Sequence, residues 1–132
     1  MNGLCICCSG KPFEACCDRF LNQHKLPKTP EQLMRSRYSA YALGGYGDYL
    51  AKTWLPSARQ QLSALELSKK SIEWSGLEVL NKSQKGNSAI VEFAASFLGE
   101  DKEKTIHHEK SVFTRIDKQW FYVSGEILNS DK

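Results

Sequence analysis

The chain has 132 residues, 41% of them hydrophobic and 25% charged, a composition typical of one globular domain with room for a small appendage. Its net charge of +3, from 18 basic and 15 acidic residues, is too mild to indicate a nucleic-acid partner. The apolar stretch at residues 91–98 is too short to insert in a membrane, and the amino terminus lacks the features of a secretion signal, so we expect a cytoplasmic protein.

The amino-terminal segment is defined by five cysteines, and the rest of the chain has none. They are Cys5, Cys7, Cys8, Cys16 and Cys17. In a cytoplasmic chain such a cluster favours a metal site over disulfides, and an odd number of thiols cannot pair completely. Four thiolates match the tetrahedral shell of structural zinc, which would supply the folding energy that so short a segment lacks. A redox-active thiol cluster and inert cysteines are the two alternatives.

The segment from Cys5 to Cys17 also resembles the SEC-C motif, a small zinc-binding module with the ligand pattern Cys-x-Cys, eight residues, then Cys-Cys or Cys-His. The resemblance implies that residues 1–25 form a zinc knuckle. Its implied ligands are Cys5, Cys7, Cys16 and Cys17. The motif usually has glycine where Cys8 stands, so Cys8 either competes with Cys7 for the metal or stays a free thiol.

A polar linker and a well-marked helix follow the cysteines. The linker covers residues 22–28 and contains one proline. Thr29 is the predicted N-cap, Gln32 completes a capping box, and the helix is expected to run to about Leu43, before Gly44. Because this helix has its own start signal, we expect a chain that begins near the linker proline to fold without the knuckle.

A helical wheel places an arginine within the apolar face of this helix. That face is formed by Leu33, Met34, Tyr38 and Tyr41. The side predicted to face away carries Arg35, Ser36 and Ser39. Arg37 lies in the middle of the apolar face, where a guanidinium must reach solvent or meet a buried acceptor. We expect it to pair with Glu109 or, as a second choice, with Asp48.

The rest of the chain predicts two more helices and then strands. The second helix is expected from Asp48 to about Trp54, and a third begins at a capping box at residues 57–60 and fades by residue 70. The hydrophobic period then changes to two. The predicted strands cover residues 72–82, 88–98, 105–116 and 120–124. Short connections predict an antiparallel meander, and the whole is an α+β fold of about three helices on one face of a curved four-stranded sheet.

Several segments of this region are similar to the YchJ family of uncharacterised bacterial proteins. They are residues 33–41, 48–50, 53–56, 109–113 and 119–125. With the cysteine motif, the resemblance covers nearly the whole chain. It implies a nuclear-transport-factor-2-like cone over residues 29–132, and it implies no particular activity.

Such a cone commonly encloses a pocket between its first helices and the concave face of the sheet. The candidate pocket residues are Arg37, Tyr38, Tyr41, Trp54, Trp74, Phe93, His107, Glu109 and Trp120. His107 and Glu109 share a strand face and could act as a base and the group that orients it. The simpler interpretation is that Glu109 neutralises Arg37.

Two functions are compatible with these residues. The first is a non-catalytic adaptor that uses its zinc knuckle to dock a protein partner, and it leads because no complete catalytic set can be written. The alternative is an enzyme or a small-molecule binder that uses the pocket of the cone. An open polar cavity whose carboxylate is not paired would favour the alternative, whereas a filled cavity with Arg37 paired to Glu109 would favour the adaptor.

Overall fold

The computed structural model describes residues 4–56, 73–99 and 101–128. A short 3-10 turn at Phe13–Ala15 precedes the helices. The α-helices are α1 (Asp18–Leu21), α2 (Pro30–Leu43) and α3 (Gly47–Lys52). The helix predicted at residues 57–70 lies outside the described residues. No helix in the described ranges combines the length and the hydropathy needed to cross a bilayer.

The strands form one antiparallel meander, which confirms the predicted sheet. They are β1 (Glu73–Lys85), β2 (Ser88–Leu98), β3 (Lys104–Ile116) and β4 (Gln119–Ile127), in the spatial order β1-β2-β3-β4. β1 extends past the predicted residue 82 because Lys85 pairs with Ser88 across a two-residue turn. Register shifts in β1 and at Val112/Phe113 mark bulges, which increase the local twist and bend the sheet around the helices.

α2 begins and ends where the sequence predicts. The Thr29 hydroxyl accepts a hydrogen bond of 3.1 Å from the amide of Gln32, and the Gln32 side chain accepts one of 2.8 Å from the amide of Lys28. Gly44 follows the last helical residue with a φ of +78°, a conformation that glycine adopts without steric cost. These contacts satisfy backbone groups that a helix end leaves unpaired.

α2 is buried on two sides, because the knuckle packs against the side opposite the sheet. Ser36 and Ser39, which are predicted to face away from the apolar side of the helix, are both 0% exposed. Ser36 shares a hydrogen bond of 2.6 Å with the hydroxyl of Tyr49 in α3, and Ser39 contacts the cysteines of the knuckle. A helical wheel shows only the strongest apolar face and cannot reveal that a second module covers the other one.

The knuckle and the cone share a continuous core. Buried side chains of the knuckle, Phe20 and Leu21 among them, belong to the same cluster as those of α2 and the sheet. A hydrogen bond of 2.7 Å from Nη1 of Arg35 to the carbonyl of Cys7 also ties α2 to the knuckle. The division into a motif over residues 1–25 and a domain over residues 29–132 stays a prediction about independent folding.

Candidate metal centre and ligand cavity

The knuckle brings two pairs of cysteines together by folding the chain back on itself. A single β-bridge joins Leu4 to Pro12, and the amide of Cys5 donates to the carbonyl of Lys11 at 2.8 Å. Cys16 follows the 3-10 turn, and Cys17 is the N-cap of α1. Both arms of the knuckle therefore turn their thiols toward one point beneath α2.

Four thiols converge with the geometry of a metal site. The sulfur atoms of Cys5, Cys7, Cys16 and Cys17 lie within 4.8 Å of one another, and all four residues are buried. The Sγ atoms of Cys7 and Cys16 are 3.6 Å apart, too far for a disulfide. Tetrahedral zinc with Zn–S bonds of about 2.3 Å separates its sulfurs by roughly 3.8 Å, so these residues fit such an ion. The four cysteines could hold a metal.

Donor groups surround these thiols. The Ser39 hydroxyl donates to Sγ of Cys17 at 3.2 Å, and the Ser9 hydroxyl lies 3.1 Å from Sγ of Cys16. Arg19 donates from Nε to the carbonyl of Cys16 at 2.9 Å. A four-thiolate metal centre carries excess negative charge, and hydrogen-bond donors and cations of this kind stabilise it.

Burial and mutual contact oppose ionisation of Cys7 and Cys17. Hydrogen bonds with Cys5 and Cys7, together with burial, raise the pKa of the Cys17 thiol far above its ordinary value. Burial in one cluster also leaves Cys7 with a pKa of about 11, because its contact with Cys5 and its desolvation outweigh the opposing hydrogen bond with Cys17. A bound divalent cation would displace these protons.

Cys8 stands apart from the four. Its side chain is exposed, and its Sγ donates to the carbonyl of Ile6 at 3.7 Å. It is not one of the four cysteines whose sulfurs converge, and its role as a competing ligand or a free thiol stays a prediction. The backbone of Cys8 has a φ of +66°, in the left-handed region that favours glycine, which gives a physical reason for the glycine that the SEC-C motif usually has there.

A cavity of about 400 Å³ lies between α2, the residues after α3 and the concave face of the sheet. Eight of the nine candidate pocket residues line it, namely Arg37, Tyr38, Tyr41, Trp54, Trp74, Phe93, His107 and Glu109. Residues that the sequence analysis did not single out complete the wall, among them Ser111 and Tyr122. Trp120 does not line the cavity, because it is buried beside Arg115.

Glu109 is the polar centre of the cavity. Ser111 and Tyr122 donate from their hydroxyls to its Oε2 at 2.6 and 3.2 Å, and Nε2 of His107 lies 2.7 Å from its Oε1. Burial alone would raise the pKa of Glu109, but the hydrogen bonds from His107 and Ser111 outweigh it and hold the pKa below its usual value. The carboxylate is therefore ionised at neutral pH.

Arg37 is buried as predicted, but its expected partner was wrong. Its Nη1 donates to the Leu50 carbonyl at 2.8 Å and to the Thr53 hydroxyl at 2.7 Å. Its guanidinium carbon lies 4.6 Å from the centre of the Tyr122 ring, a cation–π contact. The end of α3 supplies neutral acceptors, and Glu109 is occupied by other donors. The second choice, Asp48, is exposed.

Gly125 allows Glu109 to take this position. A Cβ atom at Gly125 would overlap the carboxylate of Glu109 and lie 2.9 Å from the hydroxyl of Tyr122. β4 thus passes so close to the hydrogen-bonded carboxylate that a side chain here has no room. This close approach explains a glycine inside a strand, a position where glycine otherwise weakens the sheet.

An α+β cone with a cavity and an appended cysteine knuckle defines a nuclear-transport-factor-2-like protein with a SEC-C-type module. The family described as "YchJ, middle NTF2-like domain" matches residues 29–125. The chain belongs to the YchJ family, which confirms the resemblance seen in the sequence.

Relatives and a solved structure extend this assignment over the chain. A UPF0225 protein of Photorhabdus laumondii is 41% identical over 130 residues, 95% of this chain and 81% of the relative. One of Chromobacterium violaceum is 43% identical over 124 residues, 91% of this chain and 90% of the relative. The solution structure of a SEC-C motif containing protein from Rhodopseudomonas palustris is similar with a TM-score of 0.84 and 35% identity, covering 98% of this chain and all of that one.

Proposed function

We propose that the protein binds a small molecule in the cavity of the cone and that its knuckle is a structural zinc module. One observation carries the proposal: the cavity is open, its walls are mostly aromatic, and its carboxylate is not consumed by pairing with Arg37. A cavity of about 400 Å³ with a few convergent polar groups has the size and lining of known ligand sites. The cavity is not filled and Glu109 does not pair with Arg37, which differs from the expectation for the adaptor. The expectation for the binder is met only in part, because the walls are aromatic and the carboxylate bonds to His107, Ser111 and Tyr122.

The docking role expected for the knuckle has less support. The four thiols are buried against α2, and the knuckle contributes Phe20 and Leu21 to the shared core. A structural zinc ion here would crosslink two arms of a segment too small to fold alone. The need for reduced thiols supports the cytoplasm as the compartment of the protein.

The metal is inferred to be zinc from its donors, because a buried tetrahedral set of four sulfurs with no open position is typical of structural zinc. Elemental analysis of protein purified without added metal should find close to one zinc ion per chain. Cys5→Ser should lose the ion, whereas the matched variant Cys8→Ser should keep it. Iron in place of zinc, or equal metal content in both variants, would contradict the assignment.

The cavity is tested by filling it. Ala95 is buried on the inner face of β2 and lines the cavity, whereas Ala94, its neighbour in the chain, points to the outer face. Calorimetric titration with 2-acetonaphthone, a neutral two-ring aromatic ketone, should detect binding to the wild-type protein and to Ala94→Phe. Ala95→Phe should abolish binding while keeping its zinc. Failure of the wild-type protein to bind the probe, or equal binding by both variants, would contradict the proposed site.

A further inference from the structure

We propose that the cavity selects neutral aromatic molecules that carry a hydroxyl group and that Nδ1 of His107 forms a hydrogen bond with this hydroxyl. The inference rests on the proposed function, because it names the chemical class of the ligand that the cavity would take. It follows from three features of the cavity: the opposite charges of Arg37 and Glu109, the ring nitrogen of His107 that has no hydrogen bond among the described residues, and the placement of the aromatic rings.

Arg37 and Glu109, which both line the cavity, carry opposite charges. The positive charge of Arg37 is held by Leu50 and Thr53, and the negative charge of Glu109 is held by Ser111, Tyr122 and His107. Arg37 is only 5% exposed, so its guanidinium is not available to a ligand. A charged ligand would bring an uncompensated charge into a largely apolar enclosure, which carries a high desolvation cost. The cavity therefore favours a neutral ligand.

His107 has one ring nitrogen in contact with a carboxylate and one without a hydrogen bond among the described residues. Nε2 lies 2.7 Å from Oε1 of Glu109, and no hydrogen bond of a described residue engages Nδ1. The ring packs against Trp74 and Phe93, with centroids 6.0 and 6.3 Å away. A ligand hydroxyl, which can both donate and accept, can form a hydrogen bond with Nδ1.

The aromatic walls favour a flat aromatic ligand. Trp74, Phe93, Phe97 and Tyr122 line the cavity, where ring–ring contacts stabilise an aromatic partner.

Three probes separate these features in the full-length, zinc-loaded protein. They are 6-hydroxy-2-acetonaphthone, which is neutral and carries a hydroxyl; 2-acetonaphthone, which is neutral and lacks the hydroxyl; and 6-hydroxy-2-naphthoate, which carries the hydroxyl but is an anion. Calorimetry should show the hydroxyketone binding roughly 5–10-fold more tightly than the ketone, the value of one hydrogen bond. The anion should bind at least about 10-fold more weakly than the hydroxyketone. Equal affinity for the ketone and the hydroxyketone, or a preference for the anion, would overturn the inference.

The role of His107 is tested by His107→Phe, which keeps an aromatic ring against Trp74 and Phe93. This variant should bind the hydroxyketone and the ketone with equal affinity. Its affinity for the ketone should equal that of the wild-type protein. The matched variant His108→Phe, on the opposite face of β3, should keep the wild-type preference. Binding of the ketone by a variant shows that its cavity is intact. If His107→Phe fails to fold, the affinities of the wild-type protein for the three probes still decide the ligand class. Absence of binding by any probe contradicts the proposed function, whereas binding without selectivity contradicts only this inference.

Discussion

The hydroxyl of Ser39 donates a hydrogen bond of 3.2 Å to the sulfur of Cys17, and this contact joins the cone to the cysteine cluster. Ser39 lies in the middle of α2, two residues after Arg37 and two before Tyr41, both of which line the cavity. One helix therefore contacts the metal centre on one side and the ligand cavity on the other. The metal centre and the cavity share a structural element whose position each of them helps to fix.

Loss of the Ser39 hydroxyl should weaken metal binding. Ser39→Ala removes a donor to a metal-ligating sulfur, and the loss of such outer contacts typically lowers metal affinity by about 10–100-fold. Competition with a chromophoric chelator measures the change. Ser36→Ala is the matched control, because Ser36 is equally buried but bonds to Tyr49 instead of a thiol. Equal metal affinity in the two variants would show that the contact to Cys17 does not support the metal.

Replacing Cys8 with glycine should stabilise the knuckle and leave its metal in place. A non-glycine residue at a φ of +66° carries a strain of about 1 kcal/mol, which glycine relieves, although its freer unfolded chain offsets part of the gain. We expect the thermal midpoint to rise slightly and the zinc content to stay at one per chain. Loss of zinc from Cys8→Gly would instead identify Cys8 as a ligand.

Arg37 should couple energetically to Thr53 more strongly than to Glu109. A double-mutant cycle with Arg37→Met and Thr53→Val should give an interaction energy of about 1–2 kcal/mol, as expected for a hydrogen bond from a charged donor. The cycle with Glu109→Gln should give a smaller value, because the two charged groups make no ion pair in the described part of the chain. Urea denaturation of the single and double variants measures both energies. A larger coupling to Glu109 would restore the direct pair predicted from the sequence.

A side chain at position 125 should displace Glu109. Gly125→Ala puts a methyl group where the carboxylate now lies, and overpacking of this kind usually costs about 1–3 kcal/mol of unfolding free energy. Gly76→Ala is the control, because a Cβ there would meet only Ser96, at an ordinary 3.8 Å. Denaturant unfolding should show a clear loss of stability for the first variant and a much smaller change for the second. Equal stability would mean that Glu109 moves aside without cost.

Local signals in the sequence were sufficient to predict most of the fold. Thr29 and Gly44 mark the ends of α2, and the alternation of apolar residues from Val91 to Phe97 fixes which face of β2 is buried. The family resemblance then supplied the cone and the ligand set of the knuckle. Eight of the nine candidate pocket residues line one cavity, and those on strands do so because residues that alternate along a strand share a face.

The partners of these residues could not be predicted, because they depend on packing between elements distant in sequence. Arg37 was correctly expected to be buried, but nothing in a helical wheel indicates that the end of α3 would supply its acceptors. The burial of Ser39 was not predicted, because no signal in the sequence indicates that the knuckle packs against this side of α2. The role of Tyr122 depends on the register shift between β3 and β4, which the sequence does not mark.

The three tryptophans provide the most direct test of the cone cavity as a ligand site. Trp54 and Trp74 line the cavity, whereas Trp120 is 2% exposed and lies outside it. In a ¹H–¹⁵N correlation spectrum of labelled protein titrated with 6-hydroxy-2-acetonaphthone, the indole signals of Trp54 and Trp74 should shift in a saturable way. The signal of Trp120 should stay in place. Saturable binding that leaves Trp54 and Trp74 unmoved, or that shifts Trp120 instead, would contradict the cavity as the binding site.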